Sequence, residues 1–202
     1  QLSPRGELRG RSARILLRLK RYEEALAKLE EIPVPERHFL HEQWLLEIRL
    51  RFRDYPGAFA ALCGFLARRA GDDEATRSFE QVLTKLRPQL SPARVALGCA
   101  ILAERTSGSV ATEWRRRVGE NVRLVDPQRS LEDNDLARYA MILSGERWPA
   151  SIAADAERPT AVLVRARLGD EAARASLRTL AREDDLIRSL AQLDAKLAPL
   201  IR

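Results

Sequence analysis

Residues 22–32 read YEEALAKLEEI, and residues 55–65 read YPGAFAALCGF. Laid over one another at an offset of 33, they pair Tyr22 with Tyr55, Ala25 with Ala58, Leu29 with Leu62 and Ile32 with Phe65. Residues three and four apart share a helix face, so Ala25, Leu29 and Ile32 form one stripe. An aromatic just before that stripe fills the gap at the turn between two antiparallel helices. The alanine marks their crossing, where a small side chain lets the helix axes approach. Trp148 and Ser151 open a further copy, WPASIAA, against YPGAFAA at 55–61. Residues 71–82 and 169–177 carry the same alanine-then-apolar spacing.

Outward from these stretches, the composition supports helix throughout. Alanine, leucine and arginine supply 91 of the 202 residues, and all three are strong helix formers. Aromatics are 5% of the chain and β-branched runs are short, which excludes a mostly β fold. Pro33, Pro35, Pro56, Gly71, Pro88, Pro92, Gly108, Pro127, Gly145, Pro149, Pro159 and Gly169 punctuate the chain. Between them apolar residues recur at helical spacing: Leu8, Ser12, Ile15, Leu16 and Leu19; Leu40, Trp44, Leu45, Ile48 and Phe52; Phe79, Val82, Leu83 and Leu86; Val95, Leu97, Ile101 and Leu102; then Leu177, Leu180, Leu186, Leu190, Leu193 and Leu197. This predicts about twelve helices with short connections and one longer link near 121–131. No low-complexity linker divides the chain, so a single domain over 1–202 is expected.

The pattern resembles the tetratricopeptide repeat, a helix–turn–helix unit of about 34 residues. The likeness is best over 5–70 and fair over 145–182, while 105–131 reads as irregular. Ala13 and Gly98 stand where the family places a small first-helix residue; Leu46 replaces it in the second unit, and the family's first-helix tryptophan is missing. The resemblance implies an all-α, right-handed superhelical solenoid of antiparallel hairpins with degenerate units. A HEAT-like array and a plain helical bundle are the rival architectures. One hairpin cannot bury its apolar face alone, so neighbours must stack. The chain begins at Gln1 without methionine, which points to a piece of a longer protein.

Formal net charge is +6. Arg5, Arg9, Arg11, Arg14, Arg18, Lys20 and Arg21 face a single acid, Glu7, over the first 21 residues, and Arg115, Arg116 and Arg117 form a second run. Such clusters fit an anionic partner, although interleaved acids elsewhere favour solvated helix faces. No catalytic or cofactor signature is complete in the sequence. His38 and His41 share a helix face beside Glu42, but HExxH is absent and no third ligand is evident; both read as surface histidines. Cys63 and Cys99 lack metal or CxxC spacing and read as small core residues, with a disulfide left open. Phosphate-cradling glycine motifs are missing. The acidic groups at 132–135 and 183–185 read as helix-start residues. Trp44, Trp114 and Trp148 read chiefly as core, Trp114 with stacking on bases as its rival. No apolar stretch approaches the roughly 18 residues that span a membrane.

The resemblance implies that the first helices of successive units line a concave groove. Candidates there are Arg11, Arg14 and Arg18 from the first unit, and Gln43, Trp44, Glu47 and Arg51 from the second. The arginines supply guanidinium forks for an acidic peptide. The expectation is a non-catalytic scaffold, without cofactor or metal, that binds a partner protein or peptide. Its alternatives are a helical accessory domain of a larger enzyme, for example a cell-wall lytic one, and a basic nucleic-acid-binding repeat. A cytoplasmic or periplasmic site is equally open.

Overall fold

The structure, a computed structural model, describes residues 4–126, 128–146 and 157–201. Among them are eleven α-helices and no strand. In chain order they are α1 (Pro4–Arg18), α2 (Tyr22–Glu30), α3 (Phe39–Arg51), α4 (Tyr55–Arg68), α5 (Asp73–Leu86), α6 (Pro92–Arg105), α7 (Gly108–Val122), α8 (Leu131–Leu143), α9 (Pro159–Leu168), α10 (Glu171–Glu183) and α11 (Asp185–Leu193). The all-α class expected from composition holds. The expected number was about twelve; residues 147–156 lie between α8 and α9, outside the described part, and with them Trp148 and Ser151.

Local chemistry sets most of the helix starts. Side-chain oxygens of Asp54, Asp72, Ser91, Ser130, Asp170 and Asp184 accept backbone N–H groups in the first turns of α4, α5, α6, α8, α10 and α11. Those donors have no partner within the helix, so each cap is worth about 1 kcal/mol. Pro56, Pro92 and Pro159 sit in first turns, where a missing N–H costs nothing.

Four of the described helices end in one way. Lys20 and Arg53 both adopt φ 59°. The Lys20 N–H donates to the Leu17 carbonyl and the Arg21 N–H to that of Leu16; Arg53 and Asp54 do the same to Leu50 and Arg49. Gly145 (φ 82°) after α8 and Gly169 (φ 103°) after α9 repeat the arrangement, with Met141, Ile142, Arg165 and Ala166 as acceptors. This left-handed ending satisfies carbonyls that the helix leaves open. The repeat seen in sequence is therefore also a repeat of backbone geometry, and Tyr22 and Tyr55 follow the two matching turns.

Behind the turns the small residues are buried as expected. Ala25 and Ala58 have no exposed surface, and Leu29 and Leu62 are also buried. Tyr22 and Tyr55 are half-buried. A small core joins Ala13, Ala25, Leu29, Ile32, Leu45, Ile48 and Ala61. A larger one runs from Phe59 to Leu197, and Leu46 packs against both. Leu46 occupies the place where Ala13 stands one unit earlier, so the larger side chain spans the two cores.

Helix α6 is the centre of the larger core. Ala93 and every residue from Val95 to Ala103 are buried, the pattern of a helix covered on all sides, and α5, α7 and α8 supply the cover. Gly98 permits the α5 contact: a Cβ there would lie 2.6 Å from a Leu83 methyl. Each buried leucine in such a core contributes about 2 kcal/mol over an exposed one.

Two sequence expectations need correction, and the stretch 105–131, a poor match to the repeat, holds a regular helix, α7, over 108–122. Its buried face is Ala111, Trp114, Val118 and Asn121, a helical spacing disguised by its small and polar members. The α1 stripe of Leu8, Ile15 and Leu19 faces solvent; Ala13 is buried instead, with Leu16 and Leu17 half-buried beside it. Finally, packing is not confined to chain neighbours. Helix α11 lies against α4, and α10 touches the short 3-10 turn at Val34–Glu36.

Candidate interaction surface

The sequence candidates occupy two helices. On α1, Arg11, Arg14 and Arg18 are all exposed and follow i, i+3, i+7 spacing, so they form one row. Arg11 reaches Glu7 at 2.5 Å, an exposed pair of small energetic weight. Among the described residues no ion pair engages Arg14 or Arg18.

On α3, Gln43, Glu47 and Arg51 are exposed along one ridge, with Leu40 at its start. Trp44 is half-buried beside this ridge and packs on the small core. The Arg51 guanidinium lies 4.2 Å from the centroid of the Tyr22 ring, a cation–π contact across the hairpins. Gln43, Glu47 and Arg51 are thus brought together, with Arg51 already engaged by the aromatic of the first turn.

Helices α1 and α3 meet where Gly10 faces His41. A Cβ on Gly10 would lie 2.5 Å from His41 Nε2, so only glycine allows this approach. His41 is buried, not a surface residue as expected, whereas His38 is exposed. The His41 Nδ1 accepts the His38 backbone N–H at 3.1 Å, and its ring lies 5.7 Å from that of Trp44. Burial first, then the nearby His38, Arg37 and Arg68, lower the His41 pKa to about 4. The ring is therefore neutral at pH 7.

Behind α3 lies a group of charges that sequence reasoning missed. Glu42, 2% exposed, pairs with Arg68 at 3.0 Å. Arg68 also donates to the carbonyls of Val34 at 2.8 Å and Arg37 at 2.5 Å. Arg37, equally buried, donates to the Ile32 carbonyl and to Asp185 Oδ2 at 2.5 Å. Burial raises the Glu42 pKa against the pull of Arg68, and burial lowers that of Arg68. A Cβ on Gly64 would stand 2.7 Å from the Glu42 carboxylate carbon. This knot ties α3, α4, the 34–37 turn and α11 together and fixes the orientation of α3. Its one sequence signal was an acid, Glu42, on the inward side of a helix whose next inward residue is Leu45.

The other basic run is largely neutralised. Arg116 pairs with Glu113 and Glu120, and Arg117 with Glu113 at 2.9 Å. Trp114 is buried, with the Arg117 guanidinium 4.7 Å from its ring centroid, so its face is not open to a base. Cys63 and Cys99 are buried free thiols; burial raises both, Cys99 to about 11, so neither is a thiolate at neutral pH. Of the acidic groups, Asp184 does cap α11. Asp133 instead accepts from Ser91 and Arg94, and buried Asp135 is held by Arg158 and Thr160. No helix among the described residues is long and apolar enough to cross a membrane. Compared with family models, with curated proteins and with solved structures, the chain matches none of them.

Proposed function

We propose that this chain is a non-catalytic interaction scaffold, a degenerate tetratricopeptide-like stack of helix hairpins with α11 folded back onto α4, that holds a partner protein or peptide along α1 and α3. The observation that carries the reading is the matched turn geometry at Lys20 and Arg53. It supports reading α1 and α3 as equivalent first helices, and both present polar rows to solvent. A rigid framework behind an exposed row of guanidinium and amide groups suits recognition of carboxylates. The charge knot under α3 supports this by holding that helix in place.

Fluorescence anisotropy with labelled peptides ending in two or three acidic residues tests the proposal. Binding should be saturable. The double change Arg14→Glu plus Arg18→Glu should weaken it about tenfold or more, and Gln43→Ala with Glu47→Ala should alter it as well. Unchanged affinity in both variants would remove α1 and α3 from the binding role.

A further inference from the structure

Helix α1 carries an apolar stripe on the side turned away from the core. Leu8, Ile15 and Leu19, the last just past the end of α1 with its N–H still donating to the Ile15 carbonyl, are 63%, 59% and 60% exposed, and their spacing of seven and four residues puts them in one row about 16 Å long. The inward side of the same helix is already filled by Gly10, Ala13, Leu16 and Leu17. The stripe is thus additional to the residues that build the hairpin.

Among the described side chains, the charges beside the stripe are one-sided. Arg11 and Arg18 border it along one edge, with Arg14 just beyond, and Arg14 and Arg18 meet no acid among the described residues. Across the stripe, Arg9 is already committed: it donates to the Glu31 carbonyl at 2.7 Å and pairs with the Glu31 carboxylate at 3.2 Å. We propose that the outward face of α1 docks an amphipathic helix of a partner protein whose apolar stripe is edged on one side by carboxylates. Carboxylates at i, i+3 or i+4, and i+7 would meet Arg11, Arg14 and Arg18 in turn. A lipid surface asks for basic groups on both flanks and for aromatic anchors; the described face has free charge on one flank and no aromatic. A second copy of α1 offers only Glu7 as an exposed acid there, so self-pairing sets arginine against arginine.

This inference rests on the binding role proposed for the α1 arginines and adds the apolar row beside them, and its test separates that row from the α3 ridge. The probes are a helical peptide of about 18 residues with a leucine stripe edged by glutamates, its twin with lysines for glutamates, and vesicles of phosphatidylcholine with phosphatidylserine. The glutamate peptide should bind saturably to the full chain, and the lysine twin should not. Changing Leu8, Ile15 and Leu19 together to serine should weaken binding about tenfold or more. These side chains are exposed, so the melting curve should stay in place. Arg14→Glu with Arg18→Glu should reverse the preference between the two peptides. Equal binding of the twins, no binding of either, co-sedimentation with vesicles alone, or concentration-dependent self-association abolished by the serine changes would each overturn the proposal. Loss of binding on changing Gln43 and Glu47, with the serine variant unaffected, would overturn it while leaving the α3 reading intact.

Discussion

Lys20 and Arg53, 33 positions apart, hold the same left-handed backbone, φ 59° in each, and close the same pair of hydrogen bonds to the preceding helix. The equivalent turns at Gly145 and Gly169 use glycine. A side chain in this region costs about 1 kcal/mol that glycine avoids, partly offset by the greater freedom of glycine in the unfolded chain. Lys20→Gly and Arg53→Gly should therefore each stabilise the fold by roughly 0.5 kcal/mol, and together by about twice that. Chemical denaturation measures this directly. Destabilisation by either change would show that the two turns do not share one geometry.

Gly64 makes the opposite prediction. Its missing Cβ leaves room for the Glu42 carboxylate, which Arg68, one turn further along α4, holds in place. Gly64→Ala improves helix propensity by about 1 kcal/mol but forces that pair apart, and overpacking costs about 1–3 kcal/mol. Net destabilisation is expected. The half-buried helix position Gly119, where a Cβ would meet nothing within 4 Å, should gain stability from the same substitution. Equal effects at the two positions would refute the close approach.

These two cases show what sequence makes legible. The repeated Tyr22/Ala25 and Tyr55/Ala58 pattern is local: its meaning depends on one turn and the helix that follows, and those residues lie as the spacing required. The outward turn of Leu8, Ile15 and Leu19 was hidden because periodicity identifies a face but not what covers it. Burial of His41 depended on Gly10, 31 positions away, and the Arg37–Asp185 pair joins residues 148 apart. Neither link has a periodic signature. Of the candidate surface, Gln43, Glu47 and Arg51 were legible as one ridge, because a solvent-facing row obeys the same period as a buried one.

The Glu42–Arg68 pair should behave as a unit. Removing one member of a buried pair leaves the other charge without its partner, at a cost of about 3–5 kcal/mol. Arg68→Met, which strands the buried Glu42 carboxylate, should approach that range, and Glu42→Gln, which keeps a neutral polar side chain, should cost less. The double variant Glu42→Gln with Arg68→Met should cost less than the two single changes summed. A double-mutant cycle read by urea denaturation would give the coupling directly. Additive costs would show that the two side chains act independently.

Tyr139 tests the packing of the C-terminal helices. Its hydroxyl donates to Asp194 Oδ2 at 2.9 Å, and Arg167 donates to the same oxygen at 2.6 Å. Burial and the adjacent carboxylate raise the Tyr139 pKa, which keeps the donor proton in place. Tyr139→Phe should cost about 1–2 kcal/mol, since Arg167 still serves Asp194. Asp194→Ala, which strands both donors, should cost more. The reverse order in thermal denaturation would exclude Asp194 as the hub of this contact.

His41 predicts how stability depends on pH. Its pKa is lowered from the ordinary 6.5 to about 4, so between those values the unfolded chain binds a proton that the folded chain does not. The resulting stability is complete above pH 6.5 and is lost as pH falls through 4. Glu42 runs the other way. With its pKa raised in the fold, its favourable contribution is present below the ordinary carboxylate value and declines as pH rises through the raised one. The two can be separated by substitution: His41→Gln keeps an acceptor for the His38 N–H and removes the titration. Between pH 7 and 5 the parent chain should lose stability faster than His41→Gln, with the two slopes converging toward pH 7. Parallel pH profiles for the two proteins would mean that His41 is not shielded from water in the fold.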